Sequence, residues 1–276
     1  MGSPSDSDPR GRLLPLPHPP HPGTFLHRDN RFRVTVEVEG VRVGAYLPNT
    51  GRLRELLLPG VPVQLLPQHA PARLPYRMVA VQAPAFPDRR PIWVPVDSHL
   101  PILLLERAYQ AGLLPEWCRF QALTREPRLS HGRLDLRFQD VHGRTHWIEA
   151  KSVNRVDRLG LARFPDAPTA RGRSHLRLLQ ELAQQGQAAW VVFVVVRPDA
   201  RGFAPFVEVD PLFAHLLKEA RNAGVQIRAW VFPYDGKGFR PPYPLPIHLS
   251  PPPDPGPWGW DLSPDPGHLD NLDSEG

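Results

Sequence analysis

Lysine is nearly missing from this chain. Of 33 basic residues only three, at positions 151, 218 and 237, are Lys, so almost every surface cation is written as Arg. Cysteine is scarcer still: Cys118 stands alone, which excludes an internal disulfide and suits a reducing cytoplasm. Within EWCRF it reads as a small core residue. No run approaches the roughly 18 apolar residues of a membrane span, and the N-terminus lacks the apolar block of a secretory signal. The expectation is a cytoplasmic protein. Lys and Arg vanish from the last 28 residues, which hold six acids, so the formal charge of +5 becomes +11 over residues 1–248. That body suits a polyanionic partner, nucleic acid above all. The competing reading is arginine-rich coding bias on a soluble enzyme.

Proline, by contrast, is plentiful. Residues 1–22 and 240–276 hold 18 of the 37 prolines and read as extended, poorly ordered tails. The acidic C-terminal tail, with Trp258 and Trp260, either folds back over a basic groove or only aids solubility. Between the tails two patterns succeed one another. Over residues 23–97 short alternating strands dominate. In NRFRVTVEVEG, Phe32, Val34, Val36 and Val38 point one way, and Glu39-Gly40 turns the chain into the next strand. VPVQLLPQ and RMVAVQAP add further strands, and the set suggests a small barrel of the oligonucleotide-binding (OB) type. Over residues 98–239 PILLLERAYQAGLL is helical, and three strands follow at about 118–124, 133–140 and 145–151. Thr169 can cap a helix that Gly186 stops, with Leu176, Leu179 and Leu182 on one stripe. AAWVVFVVV suits a strand covered on both faces. A helix near 211–223 and the strand VQIRAWVF complete a mixed α/β sheet with helices on both sides.

The scarce Lys151 sits in HWIEAKSV, two residues after Glu149. On a strand the two share a face. Acid-x-Lys alone is weak, and Asp235-Gly236-Lys237 offers a second instance, in a Gly-flanked loop that reads as a turn. Glu149 differs because a partner strand precedes it. If Val141-His142-Gly143 is a three-residue hairpin loop with Gly143 left-handed, Asp140 opposes Arg144 and Asp135 lies across from Glu149. A two-residue loop would pair Asp135 with Ala150 instead. Two facing carboxylates repel and call for a cation, and Mg²⁺ or Mn²⁺ suits such oxygen ligands. Lys151 would orient a water or steady a phosphate, tasks for which Arg is bulkier, flatter and permanently protonated. The bland reading is an exposed salt bridge on a hairpin. The histidines at 18, 21 and 27, and His131, His142 and His146 with Cys118, lack zinc-finger spacing.

At these residues the chain resembles the sugar fermentation stimulation protein A (SfsA) family. The likeness spans about residues 25–232 and is carried by NRFRVTVEVEG, LPNTGRLRELLLPG, GRLDLRF, IEAKSV and FPDAPTARGRSHLRLL. It implies an OB-like barrel joined to a nuclease-like domain of the PD-(D/E)xK type, and a DNA-binding role. By that motif Asp135 is the first acid, Glu149 the second and Lys151 the lysine, with the Ala150 carbonyl as a further metal ligand. Related nucleases often place another acid where Glu106 stands; here it reads equally as an exposed helix residue. The chain departs from the family at VDSHLPILLLERA, where Asp97-Ser98 and Ile102 replace the expected Asn-Thr and Asn.

Two segments could hold phosphate. Asn49, Thr50 and Gly51 form a turn followed by Arg52 and Arg54, suited to backbone capture of phosphate or simply a tight inter-strand turn. Arg171, Arg173, His175 and Arg177 occupy the first turns of a helix, where the dipole favours anions. His175 reads alternatively as a helix-face hydrogen bonder. Phe25, Phe32 and Tyr46 are candidates for base stacking, although Phe32 shares the valine side and reads as core. The expected function is a divalent-metal nuclease acting on DNA with little sequence preference. The alternative is a non-catalytic DNA-binding regulator that keeps the fold.

Overall fold

A computed structural model of the chain describes residues 11–69, 72–129 and 132–256. The alternation of Val34, Val36 and Val38 folds as expected, with all three buried. Glu39 (φ 52°) and Gly40 (φ 79°) both take the left-handed region, which a two-residue hairpin turn demands. Six strands follow one another: β1 His21–Asn30, β2 Arg33–Val38, β3 Val41–Tyr46, β4 Pro62–Pro67, β5 Tyr76–Pro84 and β6 Pro91–Pro95. They hydrogen-bond in the order β3-β2-β1-β4-β5-β6, and a parallel β3–β5 contact, Ala45 to Tyr76 and Tyr46 to Arg77, closes the barrel. This is the OB-type unit.

The second unit begins with α1 (Leu100–Gln110), then β7 (Phe120–Arg125), β8 (Leu136–Asp140) and β9 (Thr145–Val153). After these come α2 (Ala170–Gln184), β10 (Ala188–Val195), α3 (Pro211–Asn222), β11 (Gln226–Val231) and the short β12 (Tyr243–Pro244). Their sheet runs β12-β11-β10-β9-β8-β7, parallel between β9, β10 and β11 and antiparallel elsewhere. Thr169 caps α2 by accepting the Gly172 amide at 2.9 Å. A small sheet of 155–156, 161–164 and 202–205, which the sequence did not suggest, lies beyond the end of β9.

Strand β10 shows why its sequence is apolar throughout. Val192 and Val194 join α1 (Leu104, Leu105, Ala108) and the barrel interior in one cluster. Val191, Phe193 and Val195 face the opposite way onto α2 and α3. Helices therefore cover both faces, and barrel and sheet share an apolar core.

Several expectations need correction. Phe32 is 46% exposed rather than core, because it sits in the turn before β2 and the inward alternation starts only at Val34. Cys118 is exposed, while its neighbour Trp117 fills the core at 2%. The described parts of the two tails are ordered. Leu14–Pro15 pairs with Gly238–Phe239, Leu13, Leu14 and Leu16 pack on the core, Tyr243–Pro244 lies beside β11, and Asp254 binds Arg155 at 2.5 Å. Proline is compatible with edge strands, whose outer N–H groups need no partner. The stretch with Trp258 and Trp260 lies outside the described residues. No helix among the described residues is long and apolar enough to cross a membrane.

Candidate metal and nucleic-acid site

The hairpin between β8 and β9 sets the site. Gly143 has φ 77°, the Asp140 amide donates to the Arg144 carbonyl at 3.0 Å, and the Asp140 carboxylate accepts the His142 and Arg144 amides. The loop therefore has three residues. The pairs run from Gln139–Thr145 to Leu136–Ile148, and the same register carried one step further sets Asp135 against Glu149. The other hairpin register, with Asp135 facing Ala150, does not occur. Instead Asp135 Oδ2 accepts the Ala150 amide at 2.8 Å, which fixes the carboxylate against β9.

Glu149 is almost fully buried, at 2% exposure. Its Oε1 receives Lys151 Nζ at 2.6 Å and a short hydrogen bond with His175 Nδ1 from α2, and Lys151 and His175 stand 3.3 Å apart. Oε2 has no partner. It is one of three such buried side-chain atoms among the described residues, with Glu55 Oε1 and Arg155 Nε. A buried acceptor left unmade costs about 1–3 kcal/mol, so an empty Oε2 points to a ligand that completes it. Burial pushes the Glu149 carboxyl up, but the His175 hydrogen bond and the Lys151 charge outweigh it and the net shift is downward. Asp135 goes the other way: burial first, then the Glu149 charge, raise it to about 6. The two carboxyls are thus pushed apart, Glu149 held ionised by its partners and Asp135 left the weaker acid.

Among the described residues no group of three or more His, Cys, Asp or Glu closes into a metal cage. Mg²⁺ needs none, since it takes one or two carboxylates and keeps water on its remaining positions. The donor set, two carboxylates with one orphaned oxygen, fits a hard divalent cation.

Lys151 and Ala150 open onto a cleft of about 370 Å³ between the two units. Its walls are residues 49–51 of the barrel, 150–154 of β9 with its exit, and 163–169 before α2. The PNTG turn is built for close approach. Asn49 is buried, donates to the Val96 carbonyl at 2.7 Å and accepts the Gly51 amide at 2.7 Å. A Cβ on Gly51 would stand 2.7 Å from Asp166 Oδ2, so any larger residue would push that carboxylate aside. Arg28 clasps the turn from below through the carbonyls of Arg31, Asn49 and Gly51.

The remaining candidates divide. Thr50 lines the cleft, Arg52 and Arg54 are exposed beside it, and Arg171 and Arg177 are exposed on α2. Arg173 instead lies 3.5 Å from Asp210, which caps α3 and accepts the Thr169 amide. His175 faces inward and belongs with Glu149 rather than on a phosphate-binding surface. Its helical phase carried the signal, because Leu178, Leu179 and Leu182 follow it at the +3, +4 and +7 positions of a buried face. Glu106 is buried, not exposed, and its carboxylate pairs with Arg125 on β7 from the α1 side of the sheet. It does not join the cluster. Ser98, at the point of departure from the family, donates to the Pro48 carbonyl at 2.9 Å and ties the α1 entrance to the barrel.

An OB-type barrel joined to a mixed-sheet domain with helices on both faces is the class that this fold defines. Residues 99–238 match the family model described as the sugar fermentation stimulation protein RE domain, and residues 26–94 the SfsA N-terminal OB domain. A sugar fermentation stimulation protein homolog of Chloroflexus aurantiacus is 39% identical over 229 residues, covering 82% of this chain and 85% of the relative. Another, from Moorella thermoacetica, is 40% identical over 209 residues, covering 75% and 87%. The solved structure of Pyrococcus furiosus SfsA in complex with Ca²⁺ superposes with a TM-score of 0.76 at 31% identity, over 86% of this chain and 99% of that one. The chain belongs to the SfsA family.

Proposed function

We propose that this chain binds DNA with little sequence preference and cleaves phosphodiester bonds at the Asp135–Glu149–Lys151 cluster with Mg²⁺ or Mn²⁺. The observation that carries the reading is the orphaned Glu149 Oε2, buried across from Asp135 and next along the strand to Ala150, which lines the open cleft. The Pyrococcus furiosus relative, solved with Ca²⁺, supports an oxygen site for a hard divalent ion in this family.

Asp135 and Glu149 would hold the cation, with the Ala150 carbonyl as a third oxygen. Bound there, Mg²⁺ or Mn²⁺ supplies Lewis acidity towards a phosphoryl oxygen and acidifies water. The chain's own groups do the positioning. The Ala150 amide fixes Asp135, and His175 with Lys151 holds Glu149 Oε1, leaving Oε2 for the ion. Lys151, at the mouth of the cleft, neutralises a phosphate lying between the PNTG turn and β9. Exposed Arg52, Arg54, Arg171 and Arg177 contribute backbone contacts that fix the strand without reading bases.

One observation favours the second reading, a non-catalytic DNA-binding regulator: the Lys151 ammonium is already engaged in an ion pair with Glu149. Purified protein incubated with plasmid and with single-stranded DNA, in Mg²⁺, Mn²⁺ or EDTA, separates the two. Cleavage that needs both metal and Lys151, lost in Lys151→Ala, is the expected result. Binding that persists with no cleavage under any of these conditions overturns catalysis in favour of the regulator.

A further inference from the structure

The barrel displays an aromatic surface that neither its core nor the metal cluster uses. Phe32 is exposed at the tip of the β1–β2 turn, and its ring lies 6.5 Å from that of Tyr46 at an angle of 31°. Arg77 stands on the other side of Tyr46, its guanidinium carbon 5.8 Å from the ring centre. Tyr46 lies between the two on the outer face of the barrel, across from Arg33 on β2 and Arg77 on β5.

Both ends of this row are tied to the cleft. At the Phe32 end, Arg28 grips the carbonyl of Arg31 at 2.7 Å and, with the same guanidinium, those of Asn49 and Gly51 in the cleft wall. The Phe32 carbonyl itself accepts the Leu47 amide at 2.9 Å, two residues before Asn49. At the Arg77 end, the guanidinium pairs with Asp97, and the adjacent Ser98 lines the cleft. The row is therefore a rigid continuation of the cleft rim. Arg31 and Arg33 flank it, exposed, on a body of strongly positive charge.

We infer that Phe32, Tyr46 and Arg77 form a stacking platform for unpaired bases, so that the strand entering the cleft is single-stranded DNA. The inference rests on the nucleic-acid reading above and sharpens it to a substrate class. Every base has a face that can stack on an aromatic ring, whereas bases within a duplex have both faces covered, and the flanking arginines serve the backbone. An exposed phenylalanine held in place by backbone hydrogen bonds presents such a face with little ordering cost.

The test is fluorescence anisotropy on the full chain in EDTA, which prevents cleavage. The probes are an oligo-dT of about 12 nucleotides, an abasic strand of the same length and a duplex. The expected results are tighter binding of dT than of duplex, and a loss of about tenfold for dT in Phe32→Ala. Abasic and duplex affinities should stay within about twofold, since they offer no free base face. Phe32→Trp should restore dT binding, and equal melting temperatures would show that the exposed site does not govern folding. Unchanged dT affinity in Phe32→Ala, or an equal loss on the abasic strand, overturns the platform while leaving the cleft reading standing. Failure of the unmutated protein to bind any of the three probes removes both.

Discussion

Two clusters of buried charge lie close to the cleft, and they are built on opposite principles. Asp157 and Arg163 are both fully buried. Asp157 Oδ1 accepts the Leu159 and Leu161 amides at 2.8 Å, Oδ2 accepts Arg163, and Arg163 also donates to the carbonyls of Pro205 and Pro252. Each charge is matched and neither Asp157 nor Arg163 leaves a buried polar atom unpartnered. The Asp135–Glu149 cluster, on the β8–β9 hairpin, keeps one oxygen without a partner and one carboxyl raised to about 6. Burial is common to both. What separates a structural ion pair from a site is whether the surroundings finish the hydrogen bonding.

The contrast can be broken from either side. Asp157→Ala should have the largest effect on stability, about 3–5 kcal/mol, because it strands the Arg163 charge in the interior; urea unfolding measures it. Lys151→Ala should cost less stability than Asp157→Ala, because His175 still bonds Glu149 Oε1, while lowering metal-dependent cleavage by about 10²–10³-fold, as single electrostatic groups in active sites do. A variant that unfolds instead would place Lys151 with the structural pairs.

Asp135→Asn sharpens the comparison by its sign. The native carboxyl titrates near 6 and the unfolded one near 4. Ionised Asp135 therefore opposes folding above pH 6, and the penalty disappears as pH falls towards 4. The amide should raise stability by roughly 1–3 kcal/mol at neutral pH and by little at pH 4, measured by melting across that range. Metal binding by the unmodified protein should also weaken as pH drops below 6, because the cation must then displace a proton from Asp135. The smallest effect is expected from Arg54→Ala, a few-fold loss in DNA affinity with the salt dependence reduced by about one counterion.

Much of the site was legible because local rules determine it. A glycine at the third position of Val141-His142-Gly143 set the hairpin register, and strand alternation then put Asp135, Glu149 and Lys151 on one side. Thr169 and the uniformly apolar β10 were equally local. What escaped depends on partners far apart in sequence. Nothing near Glu106 announces Arg125, and nothing near Glu149 announces His175, although the helical phase of His175 pointed inward. Phe32 departs from the alternation because the strand begins at Arg33 and residue 32 belongs to the turn before it. The proline-rich ends misled because composition reports what a segment cannot do in a central strand, not what it can do at an edge.

The barrel interior, α1 and one face of the mixed sheet belong to a single apolar cluster. Two folds that share their oil cannot swing apart like jaws. The groove between them is accordingly a fixed gauge, and a strand must thread it rather than be grasped. For the same reason neither half is a portable module: cut from the other, each would expose the surface that now joins them, and the chain should melt as one.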